Sequence, residues 1–171
     1  MDIGEFCGKL DAHLAARQQK TERYDIAIKA LRQAFNLQPD EIAVLFVDRE
    51  NDVLRFHWPL KLQKTGTIPI SSRDSLAART FRENKASANN RFAAIYHASI
   101  FEQVKLAPAG TERPQPIQKI LSVPLADSAG TPIGVIQLSR KGADSNTAGP
   151  DFTREDLAAL IEISKILGKH L

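Results

Sequence analysis

Apolar and polar positions along this chain alternate between two periods, and the changes of period mark the elements. From residue 5 to residue 36 the apolar residues Phe6, Leu10, Leu14, Ile28, Leu31 and Phe35 recur at threes, fours and sevens, the spacing of an amphipathic helix. The stretch Ala15 to Arg23 is polar. The region therefore reads as two helices broken near Lys20-Thr21, or as one long helix with a weak middle. Thr21 followed by Asp25 is an imperfect N-cap signal for the break. Pro39-Asp40 ends the helical pattern.

Ile42 to Val47 is a nearly continuous apolar run and predicts a buried central strand. Asp48 to Asp52 is turn chemistry. Val53 to Trp58 alternates well enough to be the returning strand, and Pro59 stops it. Residues 60–72 read as a loop. Ser71 or Ser72 is expected to cap a short helix over 74–83, with Leu76, Ala77 and Phe81 inward. Residues 86–92 suit a short polar edge strand, and residues 95–106 a second short helix. Residues 107–117 hold three prolines and one glycine and predict a loop. Two apolar strands follow, 120–125 and 133–138, around the turn Asp127-Ser128-Ala129-Gly130. After a Gly/Ser/Asn/Asp loop over 142–151, a terminal helix opens at Thr153, with Glu155 and Asp156 favourable to its dipole. The last helix carries Leu157, Leu160, Ile161, Leu167 and Leu171 on one face, with Ile163 and Ile166 off it. A helix apolar on more than one side is covered on more than one side. The cover is either the same helix of a second chain, giving a two-fold dimer with the N-terminal helix joining in, or residues 5–36 folding back.

At 171 residues the chain has the length of one domain. No apolar run approaches the ~18 residues needed to span a bilayer, so no membrane partner is expected. The single cysteine, Cys7, excludes an intrachain disulfide and a Cys-rich metal site, and suits the cytoplasm. The net charge of +3 is unevenly placed. Residues 55–91 hold eight Lys/Arg against two Asp/Glu. Within that block Arg73, Arg79, Arg82, Lys85 and Arg91 form a basic cluster, and Arg79 and Arg82 share a helix face. Guanidinium groups pair with carboxylates and phosphates, so the cluster marks either a solvated cationic face or the seat of an anionic ligand or acidic partner surface. Nucleic acid is not expected, because no aromatic residues interleave the cations.

The order of these pieces resembles a GAF domain, the ligand-sensing module of signalling proteins, over roughly residues 22–171. The SVPL strand, the IGVIQL strand and the FTREDL helix carry the likeness. Members of the family often place a Lys on the last strand, then Phe with an Asp four residues on; here these are Lys141, Phe152 and Asp156. The family's Asn and Glu at the flanking positions are Arg140 and Leu157 here, which argues against cyclic-nucleotide sensing. The resemblance implies an α+β, profilin-like fold: a six-stranded antiparallel sheet, terminal helices on one face, and a pocket on the other under residues 60–118. It also implies residues 1–20 as an N-terminal helix, a linker or dimerisation segment, ahead of a domain over 21–171. Lys141–Asp156 would be a structural tie between strand and helix.

The implied pocket is lined by Phe56, Trp58 and one face of 120–125 from the sheet and by Phe92, Tyr96 and Phe101 from its cover, with Arg73, Arg79 and Arg82 supplying charge; the alternative, preferred for Phe92 and Phe101, is that the aromatics simply fill the core. His97 lies in the covering segment. Relatives with haem use a His from such a segment, but a polar ligand contact or an ordinary helix histidine is the simpler expectation, so no cofactor is expected. No metal is expected either, since His13, His57, His97 and His170 show no ligand spacing. GAF-type methionine sulfoxide reductases and bilin photoreceptors use cysteines near the pocket, and Cys7 is far from it in sequence. The chain is accordingly expected to be a non-catalytic sensory domain that binds a small ligand and signals to a partner protein. The alternative is a ligand-free domain serving dimerisation or protein interaction.

Overall fold

The central strands of this chain have no solvent-facing side, and that decides the layering. The computed structural model describes residues 2–94 and 115–171. Tyr96, His97 and Phe101, and the helix expected over 95–106, lie outside the described residues.

The elements run α1 (Ile3–Ala15), α2 (Lys20–Phe35), β1 (Ile42–Asp48), β2 (Val53–Trp58), β3 (Thr67–Pro69), α3 (Leu76–Glu83), β4 (Ser87–Asn89), β5 (Ile117–Ala126), β6 (Pro132–Lys141) and α4 (Arg154–His170). Six strands form one sheet in the order β3-β2-β1-β6-β5-β4. Every neighbouring pair is antiparallel. The long apolar runs form β1, β5 and β6 because each strand feeds two cores at once. On one side Ile42, Val44, Leu121, Val123, Leu125, Ile136 and Leu138 meet the buried residues of α1, α2 and α4. On the other side Ala43, Leu45, Ile120 and Val135 meet Leu76, Ala77 and Ala78 of α3, with Phe56 and Phe92.

The helix break falls at residues 16–19, and α2 begins at Lys20, so Thr21 lies inside the helix rather than capping it. Leu10 and Leu14 of α1 belong to the same core as α4. Asp11 accepts from Lys169 Nζ at 3.0 Å and lies 2.5 Å from His170 Nε2. The second apolar side of α4 is thus covered within the chain, by residues folding back. β3 lies inside the expected loop 60–72. α3 starts two residues late, because Ser75 and not Ser71 or Ser72 is the cap: its Oγ accepts from Ala78 N at 3.2 Å. Thr153 and Asp156 close a reciprocal cap on α4, at 3.0 and 2.8 Å. In the β5–β6 turn, Asp127 Oδ1 accepts from the backbone N–H groups of Ala129 and Thr131, both at 2.9 Å. β5 outruns its edge neighbour: β4 pairs only with Ile120, Leu121 and Ser122, and Pro124 sits beyond it.

One β-bulge redirects the end of β2. Leu45 pairs with Phe56 but the adjacent Val44 pairs with Trp58, so His57 is the extra residue. Phe56 keeps the α3 side, while Trp58 is turned to the α1/α2/α4 side. His57 stacks on Tyr24 at 5.5 Å and meets the Phe46 ring edge-on at 4.7 Å. Burial, and then the nearby Lys20 charge, hold its pKa below the usual histidine value.

Two expectations follow from this packing. An ideal Cβ on Gly168 would stand 1.8 Å from the Ala126 carbonyl oxygen, whereas one on Gly8 would meet nothing within 4 Å. Gly168→Ala is expected to destabilise by about 1–3 kcal/mol through overpacking, and Gly8→Ala to stabilise by about 0.5–1 kcal/mol through helix propensity; urea unfolding measures both. A basic group with a lowered folded pKa contributes stability above its unfolded pKa and loses it as pH falls toward the folded value. The urea midpoint should therefore drop as pH is lowered from about 6.5, and His57→Phe should flatten that part of the profile.

Candidate functional site

The side of the sheet that faces α3 carries a transverse polar row among its apolar positions. Ser87 of β4 pairs with Ser122 of β5, Ser122 with Gln137 of β6, and Gln137 with Ala43 of β1. Residues opposite one another across antiparallel strands share a face, so Ser87, Ser122 and Gln137 form a polar rung that ends on a small apolar residue. Thr80 of α3 closes down on it. Thr80 Oγ1 and Ser122 Oγ lie 2.7 Å apart, and Gln137 Nε2 donates to Ser122 Oγ at 3.2 Å. Thr80, Ser122 and Gln137 are 2 %, 0 % and 8 % exposed. Such a buried group is tolerated only because its members bond each other.

The rung opens sideways between α3 and β4. A cleft of about 200 Å³ lies there, lined by Arg79, Thr80, Glu83, Lys85, Ala86 and Ser87. Arg79, Glu83 and Lys85 are exposed, and none makes an ion pair with another. Of the other expected cations, Arg73 is exposed in the turn ahead of α3. Arg82 is engaged elsewhere: its Nη1 donates to the Ile70 carbonyl, and to the Ser72 carbonyl at 2.7 Å, so it fastens the chain before α3. Of the expected aromatic lining, Phe56 and Phe92 are each 4 % exposed and fill the α3-side core. Trp58 is removed from this side by the bulge, and its Nε1 donates to the Pro39 carbonyl at 2.9 Å.

Lys141 and Asp156 do not form the expected tie. Lys141 Nζ donates to the Asp40 carbonyl oxygen at 2.7 Å and its carboxylate at 3.3 Å, and Asp156 completes the α4 cap. The reason is register: Ile42 pairs with Leu138, so the end of β6 runs out beside the 39–41 turn, where Asp40 takes the Lys141 ammonium. The loop before α4 is held instead by Lys119, 4 % exposed, whose Nζ donates to the Gly149 carbonyl at 2.6 Å and meets Asp151 Oδ1 at 2.7 Å. Asn90 bonds the Phe152 backbone in both directions at 2.9 Å, and the Arg140 guanidinium lies over the Phe152 ring at 4.8 Å.

Cys7 sits half-buried on α1, on the helical side of the sheet, where burial and then Glu162 raise its thiol pKa. Among the described residues no group of three or more His, Cys, Asp or Glu is placed to hold a metal ion, and no helix is long and apolar enough to cross a membrane.

The rung makes one prediction. Ser122→Ala leaves the Gln137 amide and the Thr80 hydroxyl without their common partner. It is expected to cost about 1–3 kcal/mol, read as a lower urea midpoint with an unchanged m-value.

No family model matches the sequence, and no curated protein matches it. Solved structures do match its fold. The GAF domain of a phosphoenolpyruvate-protein phosphotransferase from Acinetobacter superposes with a TM-score of 0.70 at 12% identity, over 97% of this chain and 90% of that one. The GAF domain of nlh2 from A. aeolicus gives 0.62 at 12% identity, over 97% and 93%. The free methionine-R-sulfoxide reductase from Neisseria meningitidis gives 0.66 at 18% identity, over 97% and 86%. That last likeness corrects the expectation that the chain has no enzymatic role. Free methionine-R-sulfoxide reductases are enzymes with this same fold, so the architecture does not exclude a reaction here. The two-core layering, the six-stranded antiparallel sheet and the superpositions together identify the fold as that of a GAF domain.

Proposed function

We propose that this chain is a sensory or regulatory GAF domain that takes a small anionic ligand in the α3–β4 cleft and passes the change to a partner protein through its terminal helices. The observation that carries this is the pair of exposed cations, Arg79 and Lys85, standing at a cleft with no ion-pair partner among the described residues. Cations without an internal partner are available to an anion. The route to the helices is short. β5 offers Ser122 to the α3 side and Leu121, Val123 and Leu125 to the side packed by α4. A ligand that binds the two states of α3 and β4 unequally would shift α4 through that one strand. GAF domains of the phosphotransferase protein and nlh2, and residues 122 to 287 of a methyl-accepting chemotaxis protein, share the architecture, which favours a regulatory setting.

A second reading is a protein-interaction domain, including a homodimer through the terminal helices. It is favoured by a groove of about 390 Å³ between α1 and α2, with Phe6, Leu10 and Ile26 among its lining and Lys9, His13 and Lys29 along it.

Thermal unfolding against a panel of small carboxylates and phosphates separates the two. At ten times Kd a ligand adds about 1.4 kcal/mol, about 3–5 °C for a domain of this size. On the ligand reading at least one anion gives that rise and Arg79→Ala abolishes it. A panel without effect on the wild type favours the interaction domain.

A further inference from the structure

We infer that the α3–β4 cleft takes a small monocarboxylate bearing hydroxyl groups, a hydroxy acid or sugar acid, with its carboxylate at Arg79 and Lys85 and its hydroxyls along the polar rung. This rests on the ligand-binding reading above and specifies the ligand's chemistry.

The charge at the cleft sets the anion. Arg79 and Lys85 supply two positive charges and Glu83 one negative charge, so the lining matches one net negative charge. A dianionic phosphate would lie against the Glu83 carboxylate, and like charges at that range repel. Among the described residues no aromatic ring lines the cleft, so none of them would stack a nucleobase. About 200 Å³ suits a compound of a few carbons.

Hydrogen-bond accounting sets the other end. Thr80 and Ser122 carry one hydroxyl hydrogen each, and a single hydrogen lies between them. Gln137 donates to Ser122 Oγ, so that oxygen already accepts. One hydroxyl hydrogen is therefore left over, whichever oxygen donates. The Thr80 and Ser87 hydroxyls line the cleft, and among the described residues the Ser87 side chain makes no hydrogen bond within the protein. Each of these hydroxyls can both donate and accept. A ligand hydroxyl, itself donor and acceptor, pairs with either. An ammonium offers only donors and would bring a charge against a neutral, buried lane.

Isothermal titration at pH 7 with D-glycerate and D-gluconate tests this, with acetate, inorganic phosphate and L-serine as comparison ligands. One of the two hydroxy acids should bind at least about tenfold tighter than acetate, a factor that one added hydrogen bond supplies. Ser87→Ala and Thr80→Val should each weaken that hydroxy acid about tenfold while leaving acetate unchanged. Arg79→Ala should remove both. Ser87 lies on the short edge strand, so Ser87→Ala decides the matter if Thr80→Val does not fold. Equal binding of acetate and the hydroxy acids, tighter binding of phosphate or L-serine, or indifference to Ser87→Ala overturns the inference. If simple anions still bind through Arg79, the ligand-binding reading survives that failure; if no ligand of either kind binds, both fall.

Discussion

The fold depends on a sheet that is buried on both faces. β1, β6 and β5 lie between the α1/α2/α4 core and the α3 core, so neither side of these strands is free to be polar without a partner. That constraint makes the Ser87–Ser122–Gln137 row conspicuous. In a sheet with a wet face, a serine and a glutamine at alternate positions need no explanation. Here they sit at the centre of a sandwich, and α3 must bring Thr80 down to meet them. The position of α3 is thus set by an apolar contact through Leu76, Ala77 and Ala78 and a polar one through Thr80, and the cleft is the space left at the rim of that contact.

The clips around the cleft explain why it holds its shape. Arg82 ties the chain before α3 to the helix itself. Asn90, just past β4, is bonded to the backbone ahead of α4. Lys119, on β5, holds the same loop through a backbone carbonyl and an exposed carboxylate. Burying an ammonium is expensive unless both its charge and its hydrogens are answered, and Lys119 has both. One wall of the cleft is therefore connected to the start of α4 by backbone bonds as well as through β5, and a displacement of β4 would be felt at that helix.

Much of this was legible in the chain itself. The runs over 42–47, 120–125 and 133–138 announced buried strands, because two-faced burial removes alternation. The capped terminal helix and the Asp127 to Gly130 turn were legible because local side chains bond local backbone. What failed was what local pattern does not carry. β3 is three residues long and has no period to detect. Trp58 was placed by alternation on the wrong face, since a bulge inserts one residue and reverses every position after it. The Lys141–Asp156 pairing came from resemblance and lost to strand register. The rung did leave a signal: Ser122 and Gln137 each interrupt an otherwise apolar run, and a polar residue inside a two-faced strand requires a bonding partner. The third member, Thr80, lies on another element, and only the fold brings it there.

Among the described residues no strand pairs with β5 beyond β4, and this has a consequence for how these molecules behave among themselves. A bare sheet edge is a template for another chain's backbone, and natural edges are blunted to prevent it. Pro124 stands on that margin and, lacking an N–H, has no donor to give a docking strand. The neighbouring Ala126 carbonyl is roofed by Gly168. At that margin a docking strand from a crowded neighbour finds one donor fewer for its carbonyls, which weakens edge-to-edge pairing.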